Sequence, residues 1–211
     1  ETIRIGLLHD LSGPFAGAGS VPLSLGAQLA IDYINEHGGV AGRYKVEGVA
    51  ADSQSKVDVA INEAERLLNQ EKVNIIVGVY ASSHAVPLAA KVDEQKKILW
   101  INSAIAVPVL KDRHLHYVFR PTVNSDGYAE AATSFLIGSS KEKIGIEPKA
   151  LKIALIDEDG PYGTAVQHGN VEWAKKKGLT IVLKESYSAS TPDLSSLVTK
   201  LKRARPDICL L

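Results

Sequence analysis

The sequence predicts an α/β protein of two lobes, each a parallel sheet with helices on both faces. Three observations carry that prediction. Apolar residues alternate along the chain between short continuous runs and stripes spaced three to four apart. The continuous runs are rich in Ile, Val and Leu, as strands buried on both faces are. The alternation also pauses at Arg120-Pro121-Thr122, dividing strand–helix units into two sets, residues 1–120 and 121–211.

"IRIGLL" (3–8) is the first strand. A helix follows from Val21 to His37, with Leu25, Leu29, Ala30 and Tyr33 as its apolar stripe and Gly38-Gly39 closing it. "YKVEGVAA" (44–51) is the second strand. Ser55 with Asp58 then reads as a capping box, opening a helix whose core face is Ala60, Ala64, Leu67 and Leu68. "VNIIVGV" (73–79), a helix from Ser83 to Lys97 and "ILWIN" (98–102) come next, and "YVFR" (117–120) closes the first set. The second set runs through a helix in "SDGYAEAATSFLIG" (125–138), strand "LKIALID" (151–157), a helix from Tyr162 to Lys177 and strand "LTIVLKESY" (179–187). A helix from Asp193 to Ala204 and strand "DICLL" (207–211) end it. A parallel strand needs cover on both faces, so the expectation is that the second lobe is incomplete at Leu211. The strand that starts almost at once, with no charged and apolar leader before Ile3, leads us to expect a mature or trimmed N-terminus.

Composition excludes several classes. At 211 residues the chain can bury a substantial core. Lys plus Arg equals Asp plus Glu at 24 each, so the basic excess that a polyphosphate partner requires is missing and no nucleic acid is expected. The basic runs at Lys175 to Lys177 and Lys200 to Arg205 fall at helix ends, where cations favour the dipole. Cys209 is the only cysteine, so no intrachain disulfide or thiolate cluster can form. No apolar run reaches the ~20 residues of a membrane span, so direct insertion is not expected.

Ligands of open parallel sheets gather at the carboxyl ends of strands, which selects five loops: 9–19, 52–53, 80–84, 102–106 and 157–163. The first, "LLHDLSGPFAGAG" (7–19), fails as a dinucleotide fingerprint, because Pro22 stands at the third glycine position. It also lacks the Gly-Lys-Ser/Thr of a phosphate loop. In "YASSHA" (80–85), Ser82, Ser83 and His84 suggest a nucleophile and base, yet no elbow motif surrounds either serine and no catalytic residue is assigned. Two serines at a helix start instead offer hydroxyls beside backbone N–H groups, a seat for a carboxylate; plain N-capping by either serine accounts for them equally well. The six histidines are scattered, and "DEDGPYG" (157–163) lacks the spaced oxygens of a calcium loop. It reads as an acidic strand end with a turn at Gly160-Pro161. No metal and no cofactor are expected.

Taken together, "IRIGLLHDLSGPFAGAG", "GAQLAIDYINEHGGVAGRYKV", "IIVGVYASSHAVPLA", "ILWINSAIAVPVL" and "DEDGPYGTA" resemble the leucine/isoleucine/valine-type branch of extracytoplasmic solute-binding proteins of ABC importers. The resemblance spans Ile3 to Leu211 and rests on the order and spacing of the segments. It implies type I periplasmic-binding-protein architecture: two Rossmann-like lobes with three hinge crossings that close on a small ligand. It further implies that Ser82-Ser83 and the turn of Ala104, Ile105 and Ala106 hold a carboxylate, and that Tyr162 reaches in from the second lobe. Phe15, Ala18 and Tyr80 would line the side-chain end. The implied partners are a small carboxylate ligand and a membrane permease, the implied location is periplasmic or extracytoplasmic, and the receptor would be a monomer.

The chain departs from the amino-acid binders of that branch in four respects. Ala106 stands where they place a threonine, Ala18 replaces a bulky aromatic, and Tyr80 replaces a smaller aliphatic residue. Ser55 and Ala81 occupy positions where such members often have a disulfide. Losing a hydroxyl removes an anchor for an ammonium, worth about 1 kcal/mol if its partner goes unpaired. A ring at Tyr80 favours a flat ligand, since offset ring pairs add roughly 0.5–1.5 kcal/mol. The expected ligand is therefore an aromatic carboxylic acid of the benzoate or phenylpropanoid kind, with a branched-chain or aliphatic amino acid second. The rival readings are an effector-sensing domain of a regulator or receptor and, less favoured, an α/β enzyme.

Overall fold

Among the described residues, eight parallel strands fall into two separate sheets. The structure is a computed structural model and describes residues 1–188 and 190–211. Two compact units emerge: Glu1–Ala104 with Pro108–Thr122, and Ile105–Val107 with Val123–Leu211. The short Ile105–Val107 segment thus packs with the second unit although it precedes the pause at residue 120.

In the first unit, β1 (Thr2–His9), α1 (Val21–Glu36), β2 (Lys45–Asp52), α2 (Val57–Asn69), β3 (Ile75–Gly78), α3 (Ser82–Glu94), β4 (Ile98–Trp100) and β5 (Val118–Phe119) follow one another. The sheet order is β2-β1-β3-β4-β5, all parallel. Register fixes which residues share a face: Leu7 pairs with Val77, Val77 with Trp100, and Trp100 with Phe119. On the opposite face Leu8, Ile76, Leu99 and Val118 are buried, together with Leu67 of α2 and Leu88 of α3. The α2 stripe Ala60, Ala64, Leu67, Leu68 is buried as its spacing requires.

Two local expectations are corrected. On α1 the stripe Leu25, Leu29 and Tyr33 is 61–70% exposed, and Ala30 is exposed as well. The helix instead sets Ile31 and Ala27 against Leu7, Ile5, Val46 and Val77. Both faces of α1 carry apolar residues, so spacing alone could not choose between them. Nor does Ser55 cap α2. The cap residue is Lys56, without a side-chain cap bond, because the Ser55 hydroxyl is engaged by the loop after β1.

The second unit contains α4 (Ser125–Ile144), β6 (Lys152–Glu158), α5 (Pro161–Lys177), β7 (Thr180–Tyr187), α6 (Ser195–Ala204) and β8 (Ile208–Leu210). Its parallel sheet runs β7-β6-β8. Leu151, Ile153 and Leu155 form its core with Leu136 of α4 and Ala174 of α5. The α4 helix runs six residues past the expected Gly138, ending at a left-handed Gly145. The lysine run 175–177 sits in the last turn of α5 and Lys202-Arg203 in the last turn of α6, where both complement the dipole.

Candidate functional site

In the first sheet the chain steps from β1 outward to β2, then crosses back to β3 on the other side. That reversal leaves a crevice beyond the carboxyl ends of β1 and β3, the place where open α/β sheets bind ligands. The loops following those two strands, 10–20 and 79–81, meet there.

The glycine-rich loop is held open by its neighbours. The Asp52 carboxylate, at the end of β2, accepts from the Leu11 and Ser12 amides, at 2.8 and 3.2 Å, and from the Ser12 hydroxyl at 2.6 Å. Burial would raise the Asp52 pKa, but these bonds and one from the Gln54 amide outweigh it, so the carboxyl lies below its ordinary range. The Ser55 hydroxyl accepts from the Phe15 amide at 3.0 Å and donates to the Ser12 carbonyl at 3.1 Å. The Asp10 amide donates to the Ser20 hydroxyl at 2.8 Å. The amides of Leu11, Ser12 and Phe15 are thus spent on side chains at the β2 end, and that of Asp10 on Ser20, instead of being pooled into a phosphate cradle.

Three of the expected ligand residues converge here. The rings of Phe15 and Tyr80 lie 6.0 Å apart, inclined at 46°. Tyr80 donates its hydroxyl to the Ala18 carbonyl at 3.2 Å. The loop passes close over that ring: a Cβ on Gly19 would stand 2.8 Å from it, and Gly19 has φ +155°, so only glycine fits. Phe15 and Tyr80 are half-buried and Ala18 is exposed, which makes an aromatic corner open at its rim.

Beside this corner α3 begins. Ala81 is its cap residue, in extended conformation and without a side-chain cap bond. Ser82 and Ser83 therefore open the helix instead of capping it, which corrects the capping alternative. Ser82 is buried and Ser83 half-buried, both in the turn whose N–H groups point past the helix end. Ala104 is buried after β4; its carbonyl accepts from Arg120 at 3.1 Å.

The remaining candidates lie in the second unit. The Ile105 carbonyl accepts the Ser125 amide at 2.9 Å at the start of α4, and Ala106 is fully buried. Tyr162, in the first turn of α5, is 47% exposed. The turn at Gly160-Pro161 is organised by Glu158, whose carboxylate accepts the Gly160 and Gly163 amides at 2.7 and 2.9 Å. The N-terminus of α5 is filled by a carboxylate of its own chain.

One feature escaped the sequence reading. His9 and Asp10, at the end of β1, and His84, on α3, are almost completely buried. Asp10 Oδ1 accepts from the Ser53 hydroxyl at 2.5 Å and the Ser55 amide at 3.0 Å. His84 Nδ1 approaches the same oxygen to 3.5 Å without closing a hydrogen bond. His9 Nε2 lies 3.1 Å from the Asn102 amide. Burial pushes the His9 ring down to about 4 against the pull of Asp10; the same opposition lowers His84. The available signal was "HD" terminating an apolar strand, where polar residues have no surface to reach. Among the described residues no group of three or more His, Cys, Asp or Glu could hold a metal, and no helix is long and apolar enough to cross a membrane.

With this geometry in hand, comparison with known proteins is informative. The profile described as "Periplasmic binding protein" matches residues 2–211. "Leu/Ile/Val-binding protein homolog 7" of Brucella suis is 36% identical over 210 residues, covering 99% of this chain and 51% of the relative. A crystal structure of the branched-chain amino acid transporter substrate binding protein LivJ from Streptococcus pneumoniae, in complex with isoleucine, superposes with a TM-score of 0.84. It is 26% identical, over 99% of this chain and 56% of that one. An ABC-transporter solute binding protein from R. palustris, in complex with 4-hydroxybenzoate, gives a TM-score of 0.82 at 22% identity, over 100% of this chain and 54% of that one, and so shares the fold. The chain spans about half the length of the curated relatives it matches.

Proposed function

This chain belongs to the periplasmic binding protein family, and from that premise we propose that the whole protein is an extracytoplasmic solute-binding receptor of an ABC importer. It captures a small carboxylate and passes it to a membrane permease, making and breaking no bond. Binding selects and stabilises the ligand-bound conformation. The observation that carries this reading is the meeting of Phe15, Ala18 and Tyr80 with the N-terminus of α3 at the crevice between β1 and β3. The helix end and its serines receive the carboxylate; the aromatic corner receives the other end.

An aromatic carboxylic acid is the favoured ligand. The Tyr80 ring, inclined at 46° to that of Phe15, offers one flat aromatic face of a corner, and Ala106 has no hydroxyl with which to anchor an ammonium. A branched-chain amino acid is the second reading, favoured by the Leu/Ile/Val-binding name of the 36%-identical Brucella suis relative. Calorimetric titration of the full-length protein with benzoates, phenylpropanoids and leucine tests both. Tight binding of an aromatic acid with no response to leucine supports the first. Leucine binding alone transfers the assignment to the second, and turnover of any candidate overturns both. Ile105, Ala106 and Tyr162 belong to the second unit, and Tyr162→Ala tests that unit's share separately.

A further inference from the structure

The buried polar group beneath the glycine-rich loop is unexplained by capture of a carboxylate. Asp10 Oδ2, His9 Nδ1, Asn102 Oδ1 and both ring nitrogens of His84 are buried without a hydrogen-bond partner. Buried polar atoms cost stability unless paired, and native proteins keep few of them. Their connections lead to one place. The Asp10 carboxylate holds the Ser55 amide, and the Ser55 hydroxyl holds the Phe15 amide. The His84 ring meets the Phe15 ring edge-on, with centroids 5.8 Å apart at 65°. Phe15 is thus tied to Asp10 through Ser55 and touched directly by His84.

We infer that Asp10 and His84 are a proton-operated positioning pair that sets Phe15, and through it the aromatic corner. While the His84 ring is neutral, Asp10 is left to Ser53 and Ser55, and the loop is held. An imidazolium at His84, 3.5 Å from Asp10 Oδ1, takes that oxygen as its ion-pair partner. The grip on Ser55 then loosens and Phe15 is released. Of the surrounding charged and titratable groups, Asp10 acts on both rings, and His9 is engaged with Asn102. Asp52 is committed to Leu11, Ser12 and Gln54. Tyr80 bonds Ala18, and the guanidiniums of Arg113 and Arg120 bond the carbonyls of Val86, Val109 and Ala104. Because burial lowers His84 from 6.5, the change falls on the acid side of that value.

This inference deepens the proposed function by giving its site a regulator, and its first test needs no ligand. In the full-length protein, the His84 ring and the Phe15 amide are followed by NMR from pH 7.5 to 4.5. The Phe15 amide is expected to titrate with the His84 midpoint. Its exchange, corrected for intrinsic pH dependence, should accelerate about tenfold, as loss of one such bond implies. In His84→Gln that titration disappears. Ser55→Ala supplies a second variant should His84→Gln fail to fold: there His84 still titrates and Phe15 no longer follows. A Phe15 amide indifferent to His84, or one still titrating in either variant, overturns the pair. Benzoate and leucine titrated at the same pH values separate the two proposals. If neither binds while the coupling persists, the ligand reading fails and the pair stands.

Discussion

The two units begin a helix at the carboxyl end of a central strand in different ways. In the second, Glu158 folds back and its carboxylate takes the Gly160 and Gly163 amides at the start of α5. In the first, α3 starts at Ala81 without a side-chain cap, and Ser82 and Ser83 follow it. One helix end is neutralised from within. The other keeps its dipole facing the loops that carry Phe15 and Tyr80, and the proposed function assigns the external anion to that end. The surroundings differ too, since β1 ends in the buried His9 and α3 carries the buried His84, whereas β6 carries a buried carboxyl, Asp157.

The largest way to sharpen this contrast is pH. His9 has its folded pKa pushed from 6.5 to about 4. Its contribution to the first unit is complete above 6.5 and lost as pH falls through that window, on the order of 3 kcal/mol in all. Burial moves Asp157 the other way, upward from 3.8, so the second unit loses stability as pH rises through the window just above 3.8. Residue-resolved hydrogen exchange at pH 4.5 and 7 is expected to show the first unit weakening with acid and the second not. Parallel responses would erase the distinction.

A smaller effect comes from making the first helix end resemble the second. Ser83→Asp places a carboxylate in the first turn of α3, and the affinity for a carboxylate ligand is expected to fall about 30-fold, roughly 2 kcal/mol. Unchanged calorimetric affinity would contradict the assignment. Removing the internal anion of the second unit, by Glu158→Ala, should cost that unit about 1 kcal/mol in a urea titration, as loss of a helix cap does. Of the same size, Tyr80→Val should reduce selectivity for benzoate over leucine by roughly 1 kcal/mol, about fivefold, the size of an offset ring pair.

Much of the fold was legible because strands buried on both faces advertise themselves. "IRIGLL" and "LKIALID" became β1 and β6, and the α2 core stripe fell where its period put it. The α1 face was not legible: Ile31 and Leu29 are equally apolar, and only the sheet decides which is covered. The capping box failed because Ser55 had a better use across the loop, a tertiary bond invisible to a local motif. At the candidate site, strand-end position selected the loops 9–19 and 80–84, since strand ends converge in any open parallel sheet, and the family resemblance singled out Phe15, Ala18 and Tyr80 within them. The pair beneath them was missed because sequence does not distinguish a solvated His84 from one sealed under Phe15.

The most direct test of the central claim is to titrate the isotope-labelled full-length protein with benzoate and with leucine while following the backbone amides. The account predicts that one of them perturbs Ser82, Ser83, Phe15 and Tyr80 together, and that Ser83→Asp moves the response to about 30-fold higher ligand concentration. Saturable binding that leaves those four amides unmoved would contradict it.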